Sequence, residues 1–427
     1  MNRRIKRIAY HYARDREIIF SDFRETFLKK YFPGNKKVEL LFRKDLAKLA
    51  ANFSYLFFFQ YSLFSEFWFH RNIYKSIILS GENDRYEENI RQASLGGTLI
   101  YLPNHLAHID SLVISWIADY IHVPQPLFFA WNTLARRRSS YLMPLVNACL
   151  LNREIMDNRY PCSYPFKNTR EYHLGYTILI DKYLNRMLAL GVDTLVYPEG
   201  GRSYSGVVGE AKIKRIFKNV LKIQQSQQFR ITISVVPISL TYSLVPEAEQ
   251  LIHSFYRGTI SPPSSLFHDI QRGDDLYRSF KPVYKTKTDF PFIKVFTDKG
   301  CPVFCVIGNP ISLKEKPDMT LQECFEIVKR NLKILPHHFI SRLLITDPSG
   351  MAGKWKSSGI HGLMESACIL RDRLPKARTN TAFYNDEGLA DIISIGMEFL
   401  IYCGYVSPDG QIQNFPVLNY YSNALCL

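Results

Sequence analysis

From Gly96 onward the chain alternates short apolar runs with longer amphipathic ones, and this alternation limits the fold more than any other feature. GTLIYLP is followed by SLVISWIADYI, PLFFAW, YTILIDKYLNRMLALG, DTLVYPEGG, the basic AKIKRIFKNVLKI and ITISVVPISLTY. Strand then helix, repeated, implies a sheet whose strands are joined by helical crossovers. The expected class is α/β, with a mixed, mainly parallel sheet flanked by helices and with helical N- and C-terminal regions. CPVFCVIGNPISL at 301–313 reads as one more buried strand, and LQECFEIVKRNLKI as the helix after it.

Three regions follow. Residues 1–85 carry apolar positions three and four apart and read as a helical N-terminal region; residues 86–345 form the α/β unit; residues 346–427 form a small helical C-terminal region opened by DPSGMAGKWKSSG, polar and glycine-rich enough for a linker. Between Phe53 and Phe69 the run FSYLFFFQYSLFSEFWF is interrupted by Asn52, Ser54, Gln60, Ser62, Ser65 and Glu66, so it is a poor bilayer span. A helix in the membrane interface and a helix packed into the core both use such a run.

The chain has 54 Lys and Arg against 39 Asp and Glu, a net charge of +15, and so attracts anions: nucleic acid, anionic lipid or phosphorylated small molecules. The tract Arg136-Arg137-Arg138 is accompanied by no recognisable nucleic-acid module, and a solvated or membrane-facing patch fits it better. The basic first residues precede no apolar core with a cleavage site, which argues against a secretory signal. The eight cysteines contain no C-x-x-C pair, and reduced thiols are expected.

Two segments carry candidate chemistry. Asn104-His105-Leu106-Ala107-His108-Ile109-Asp110 lies between a strand and a helix, where α/β proteins place reactive groups. On one continuous helix His105 and Asp110 would lie about 140° apart, so His105 belongs on the turn and Asp110 in the first helical turn. There the carboxylate can accept the imidazole N–H and orient a general base. Of eleven histidines, only His105 has an aspartate five residues on. The second segment is Val196-Tyr197-Pro198-Glu199-Gly200-Gly201-Arg202-Ser203. Its paired glycines permit close backbone approach, and Arg202 offers a fork suited to phosphate; a tight turn with a surface arginine has the same composition.

Together, in order and both after strands, these segments resemble the N-H-x4-D and P-E-G-x-R-S motifs of the glycerolipid acyltransferase family. The wording E-G-G-R-S is similar to the membrane-bound bacterial-type glycerol-3-phosphate acyltransferases; lysophosphatidate acyltransferases usually carry threonine where Gly201 stands. Ala148-Cys149-Leu150-Leu151-Asn152-Arg153 is placed where the family has a phosphate-binding arginine block, Val235-Val236-Pro237-Ile238-Ser239 resembles its strand-ending proline block, and Leu418-Asn419-Tyr420-Tyr421-Ser422-Asn423 looks like its Y-Y-x-N element.

The resemblance implies direct transfer of a fatty acyl group from acyl-CoA or acyl carrier protein to a hydroxyl of glycerol 3-phosphate. His105 would act as base and Asp110 would orient it. Arg202, with Arg153 and Lys212, would hold the phosphate; Glu199 and Gly200 would shape the turn beside the thioester, where backbone N–H groups would stabilise the oxyanion, and Gly201 and Ser203 would belong to the same substrate-binding segment. It implies no metal and no cofactor beyond the thioester co-substrate, no nucleic acid, and a peripheral place on an anionic membrane at its cytoplasmic face. A lysophosphatidate or other lysolipid acyltransferase would use the same residues; a non-catalytic lipid-binding protein on this fold would have no need of the His105–Asp110 pair. A serine hydrolase is disfavoured because no G-x-S-x-G is present. GMAGKW is no phosphate loop, with Pro348 where the first glycine belongs.

Overall fold

A computed structural model describes residues 15–52, 77–107, 109–132, 142–157, 169–226, 231–245, 303–374 and 386–425, with a few isolated positions between them. The aromatic run 53–69, His108 and Arg136–Arg138 lie wholly or mostly outside these residues.

The N-terminal helical stretch ends near Tyr31 and is followed by α1 (Lys36–Leu49), capped by Asn35, whose side chain accepts from the Val38 N–H. Next come β1 (Ile77–Gly81), α2 (Tyr86–Gly96), β2 (Gly97–Pro103), α3 (Asp110–Tyr120), β3 (Leu127–Trp131), β4 (Ala148–Leu151), α4 (Thr169–Ala189), β5 (Thr194–Leu195), α5 (Lys214–Gln225) and β6 (Thr232–Tyr242). The chain closes with β7 (Val303–Ile307), β8 (Ile311–Ser312), α6 (Leu321–Asn331), α7 (Pro336–Thr346), α8 (Pro348–Asp372), α9 (Asp386–Tyr402) and α10 (Phe415–Ser422).

The strands form one sheet in the order β1-β7-β6-β2-β5-β3-β4, with β8 on β6. β6, β2, β5, β3 and β4 run parallel, whereas β7 and β8 meet β6 antiparallel. The expected α/β class with a mainly parallel mixed sheet is therefore the observed one. β2 and β6 are buried along nearly their whole length, as strands covered on both faces must be, and they read accordingly as continuous apolar runs. At Gly97 a Cβ would lie 1.9 Å from the Thr232 carbonyl oxygen, so only glycine lets β2 approach β6 so closely.

Two local readings are corrected. DPSGMAGKWKSSG is no linker: it opens α8, with Asp347 capping the Gly350 N–H, Pro348 in the first turn and a kink at Gly359. These are ordinary helix-start signals inside a glycine-rich composition. Ile77–Gly81, within the stretch read as helical, is a strand paired parallel with β7. The C-terminal helices share one apolar core with the sheet: Phe339, Ile340, Ile392, Leu400 and Leu418 pack in the same cluster as Leu99, Ile238 and Ile307.

Candidate active site

β2 and β5 are neighbours and parallel, so the turns after them emerge side by side at one rim of the sheet. The chain leaves β2 through Asn104, a buried side chain that donates to the Leu240 carbonyl (2.9 Å) and accepts from the Leu240 N–H (2.7 Å). This two-way bond to β6 fixes the start of the turn.

His105 stands next, its side chain 17% exposed. Its Nδ1 lies 2.8 Å from Asp110 Oδ2. The same oxygen accepts from the Leu106 N–H (2.8 Å) and the Ala107 N–H (3.0 Å), while Oδ1 accepts from the Tyr242 hydroxyl (2.5 Å). Asp110 is completely buried, and an ionised carboxylate there would cost several kcal/mol without such donors. The bonds to Leu106 and Ala107 also wrap the turn around the carboxylate, which is how a five-residue spacing brings the two side chains together.

The His105 ring stacks on Tyr197 at 3.8 Å between centroids, and the Tyr197 hydroxyl is 2.8 Å from Ser111 Oγ. Burial pushes the His105 pKa below its ordinary value against the pull of the Asp110 carboxylate, and the Arg202 charge lowers it further. The imidazole is thus neutral near pH 7. With Nδ1–H on Asp110, Nε2 is the nitrogen able to take a proton.

The second turn is tied to the first. Glu199 Oε2 accepts from the His105 N–H (2.9 Å), Oε1 accepts from the Gly209 N–H (3.0 Å), and the Ser203 N–H donates to the His105 carbonyl (2.9 Å). Burial raises the Glu199 pKa to about 7 against those two backbone donors, with the Asp110 charge adding to the rise and Lys212 opposing it. Ser203 Oγ donates to the Val207 carbonyl (2.7 Å), so it closes the turn. Gly200 has φ +71°, a conformation L side chains rarely adopt; Gly201 does not, and a Cβ on it would meet nothing within 4 Å. Arg202 is half-buried, its guanidinium 6.0 Å from the Tyr204 ring. A partly exposed base on a buried carboxylate, with a half-buried cation beside it, suits deprotonation of a hydroxyl on an anionic molecule.

Residues 83–241 match the family model described as Acyltransferase. The chain carries an acyltransferase domain. Among curated relatives, a glycerol-3-phosphate acyltransferase of Pseudomonas fluorescens is 24% identical over 261 residues, covering 60% of this chain and 26% of the relative. One of Shewanella loihica is 25% identical over 181 residues, covering 42% and 20%. The chain thus spans about a quarter or less of the length of these relatives. The solved 1-acyl-sn-glycerophosphate acyltransferase of Thermotoga maritima aligns over 75% of this chain and 94% of its own at 14% identity, with a TM-score of 0.32, a likeness too distant to add to the fold described above.

Within the acyltransferase domain the remaining candidates are placed less centrally. Arg153 begins a short helix after β4, on the same rim but three strands from β2, roughly 14 Å at the usual strand spacing. It pairs with Asp157 (3.4 Å) and lies over Trp131 (5.4 Å). Lys212 is exposed; its backbone N–H donates to the Pro198 carbonyl (2.8 Å), and its charge acts on Glu199. Three residues that frame the site escape sequence reasoning: Tyr242 on Asp110, the Tyr197 ring under His105, and Asn423, whose Nδ2 donates to the Ser205 carbonyl (2.9 Å). Tyr197 lies inside the second motif and Asn423 inside the Y-Y-x-N element, but no local pattern signals a partner about a hundred or more residues away.

Proposed function

We propose that the protein transfers a fatty acyl group from an acyl thioester to a hydroxyl of glycerol 3-phosphate. The observation that carries this reading is the His105 ring bonded to the buried Asp110 carboxylate beside Arg202. His105 Nε2 takes the hydroxyl proton as the oxygen attacks the thioester carbonyl. The C–O bond forms, the C–S bond breaks, and the imidazolium returns its proton to the leaving thiolate. Asp110 stabilises the imidazolium, and Arg202 holds the acceptor's phosphate, a charge-assisted contact of about 1.5–3 kcal/mol. Glu199 joins the two turns, and Lys212 adds positive charge on the approach.

Glycerol 3-phosphate is preferred as acceptor because the curated relatives carry that name. Gly201 gives no steric support to the choice, since its open surroundings would also admit the threonine of lysophosphatidate acyltransferases. The donor is acyl-CoA or acyl carrier protein, and the protein works at an anionic membrane surface. Supporting that location, α5 buries Phe217 and Val220 and turns Lys214, Arg215, Lys218 and Lys222 outward. No helix among the described residues is long and apolar enough to cross a membrane.

The test is acyl transfer by the purified protein in anionic lipid, comparing glycerol 3-phosphate, dihydroxyacetone phosphate and lysophosphatidate with an acyl-CoA donor. Glycerol 3-phosphate should be preferred, and His105→Ala should abolish transfer with the thermal transition retained. Full activity in His105→Ala would sink the mechanism, and preference for lysophosphatidate would move the enzyme one acylation later.

A further inference from the structure

We propose that Asn423, presented by helix α10, is a positioning residue that holds the Arg202-bearing turn in its anion-gripping shape. The inference rests on the reading of Arg202 as the group that holds the acceptor's phosphate.

The turn 200–206 is anchored at its beginning by motif contacts, with Glu199 bonded to His105 and the Ser203 N–H on the His105 carbonyl. Its far side, Tyr204 to Gly206, rests on a part of the chain more than two hundred residues away. There Asn423 Nδ2 donates to the Ser205 carbonyl at 2.9 Å. One residue on, the two backbones touch: Gly206 has φ +84°, and a Cβ there would stand 2.1 Å from the Tyr420 carbonyl oxygen. No residue but glycine fits.

The support itself is rigid. Asn414 caps α10 through the Val417 N–H (3.2 Å). Tyr420 and Tyr421 are buried, and the Tyr421 ring stacks on His338 of α7 and packs edge-on against His337. The Tyr421 hydroxyl accepts from the Val245 N–H, just past the end of β6 (3.4 Å). Leu106, Gly206, Tyr242, Tyr420 and Asn423 are among the residues that line one cavity of about 40 Å³. α10 therefore reaches the site through Ser205 and Gly206, and its position is transmitted to Tyr204 and the guanidinium beside that ring. Loss of the Asn423 bond should loosen the grip on phosphate and leave the His105–Asp110 pair intact.

The experiment uses the full chain and compares wild type, Asn423→Ala, Asn423→Gln, Gly206→Ala and Arg202→Ala. It measures KM for glycerol 3-phosphate, KM for acyl-CoA, kcat, Tm, and protection against thermal unfolding by inorganic phosphate. Asn423→Ala should raise the acceptor KM about five- to tenfold and weaken phosphate protection to match, with kcat and the acyl-CoA KM within about twofold of wild type. Asn423→Gln, which keeps the amide donor, should recover part of the loss. Gly206→Ala should move the same readouts further; if it fails to fold, Asn423→Ala still decides. An unchanged acceptor KM in Asn423→Ala, with a raised one in Arg202→Ala, overturns the positioning role alone. A fall of kcat and Tm together with an equal rise of both KM values overturns it in favour of a general structural role. No change in Arg202→Ala either removes the acceptor reading beneath it.

Discussion

The two turns that make the site are built in opposite ways. The His105–Asp110 turn is organised around one buried carboxylate that accepts from two backbone N–H groups, an imidazole and a tyrosine hydroxyl. The Gly200–Gly206 turn takes its shape from left-handed backbone at both ends, with Gly200 and Gly206 at positive φ, and leaves its arginine half-exposed. The proton-handling half is over-determined from within the core; the anion-handling half depends on backbone conformation and outside support. Chemistry that needs a fixed tautomer favours the first arrangement, and recognition of a mobile, hydrated phosphate tolerates the second.

The contrast is broken most severely at Asp110. Asp110→Asn cannot accept from all its donors and holds the wrong tautomer, so kcat should fall about 10³–10⁴-fold in the acyl-transfer assay. Retained activity would show that His105 works without an orienting carboxylate. Tyr242→Phe removes one donor and should lower kcat about tenfold. The lowered His105 pKa puts the wild-type acid limb of the pH–rate profile below 6.5. With Tyr242 gone the carboxylate pulls harder on the imidazole, so that limb should move up; a packing role alone would leave it in place.

At the second turn the paired glycines should behave unequally. Gly200→Ala is expected to cost about 1–2 kcal/mol because of its positive φ, and Gly201→Ala close to nothing, as read by thermal unfolding. Equal effects would contradict the backbone account. At Glu199 the expected effect depends on pH. Its folded-state pKa, about 7, exceeds the unfolded value near 4.5, so the folded protein holds the extra proton between those limits. That contribution to stability is full below about pH 4.5 and is lost as pH rises through 7, on the order of 3 kcal/mol. Glu199→Gln should flatten the fall of Tm from pH 5 to 7.5.

Much of this architecture is legible in the chain. GTLIYLP is β2, SLVISWIADYI lies in α3 and ITISVVPISLTY contains β6, because each run has the length and periodicity of its element. His105 and Asp110 can be paired from spacing alone, since a turn followed by a helix start permits few arrangements. α8 is not legible, because its caps are masked by a composition typical of loops. Tyr242 is missed for a different reason: it reaches Asp110 only because β6 pairs in register beside β2, 132 residues along the chain. Arg153 is found by motif order, which places it on the right rim but says nothing of its distance from His105.

The β6 strand has one further consequence. The family match ends at Thr241, one residue before the tyrosine that touches Asp110, and before β7, which pairs with β6 along its second edge. The stretch that matches the family model and the stretch that completes the sheet and the site are therefore different lengths of chain. A fragment cut at the family boundary would expose an unpaired, apolar sheet edge and lose the α10 strut, and so invite self-association in place of a minimal enzyme.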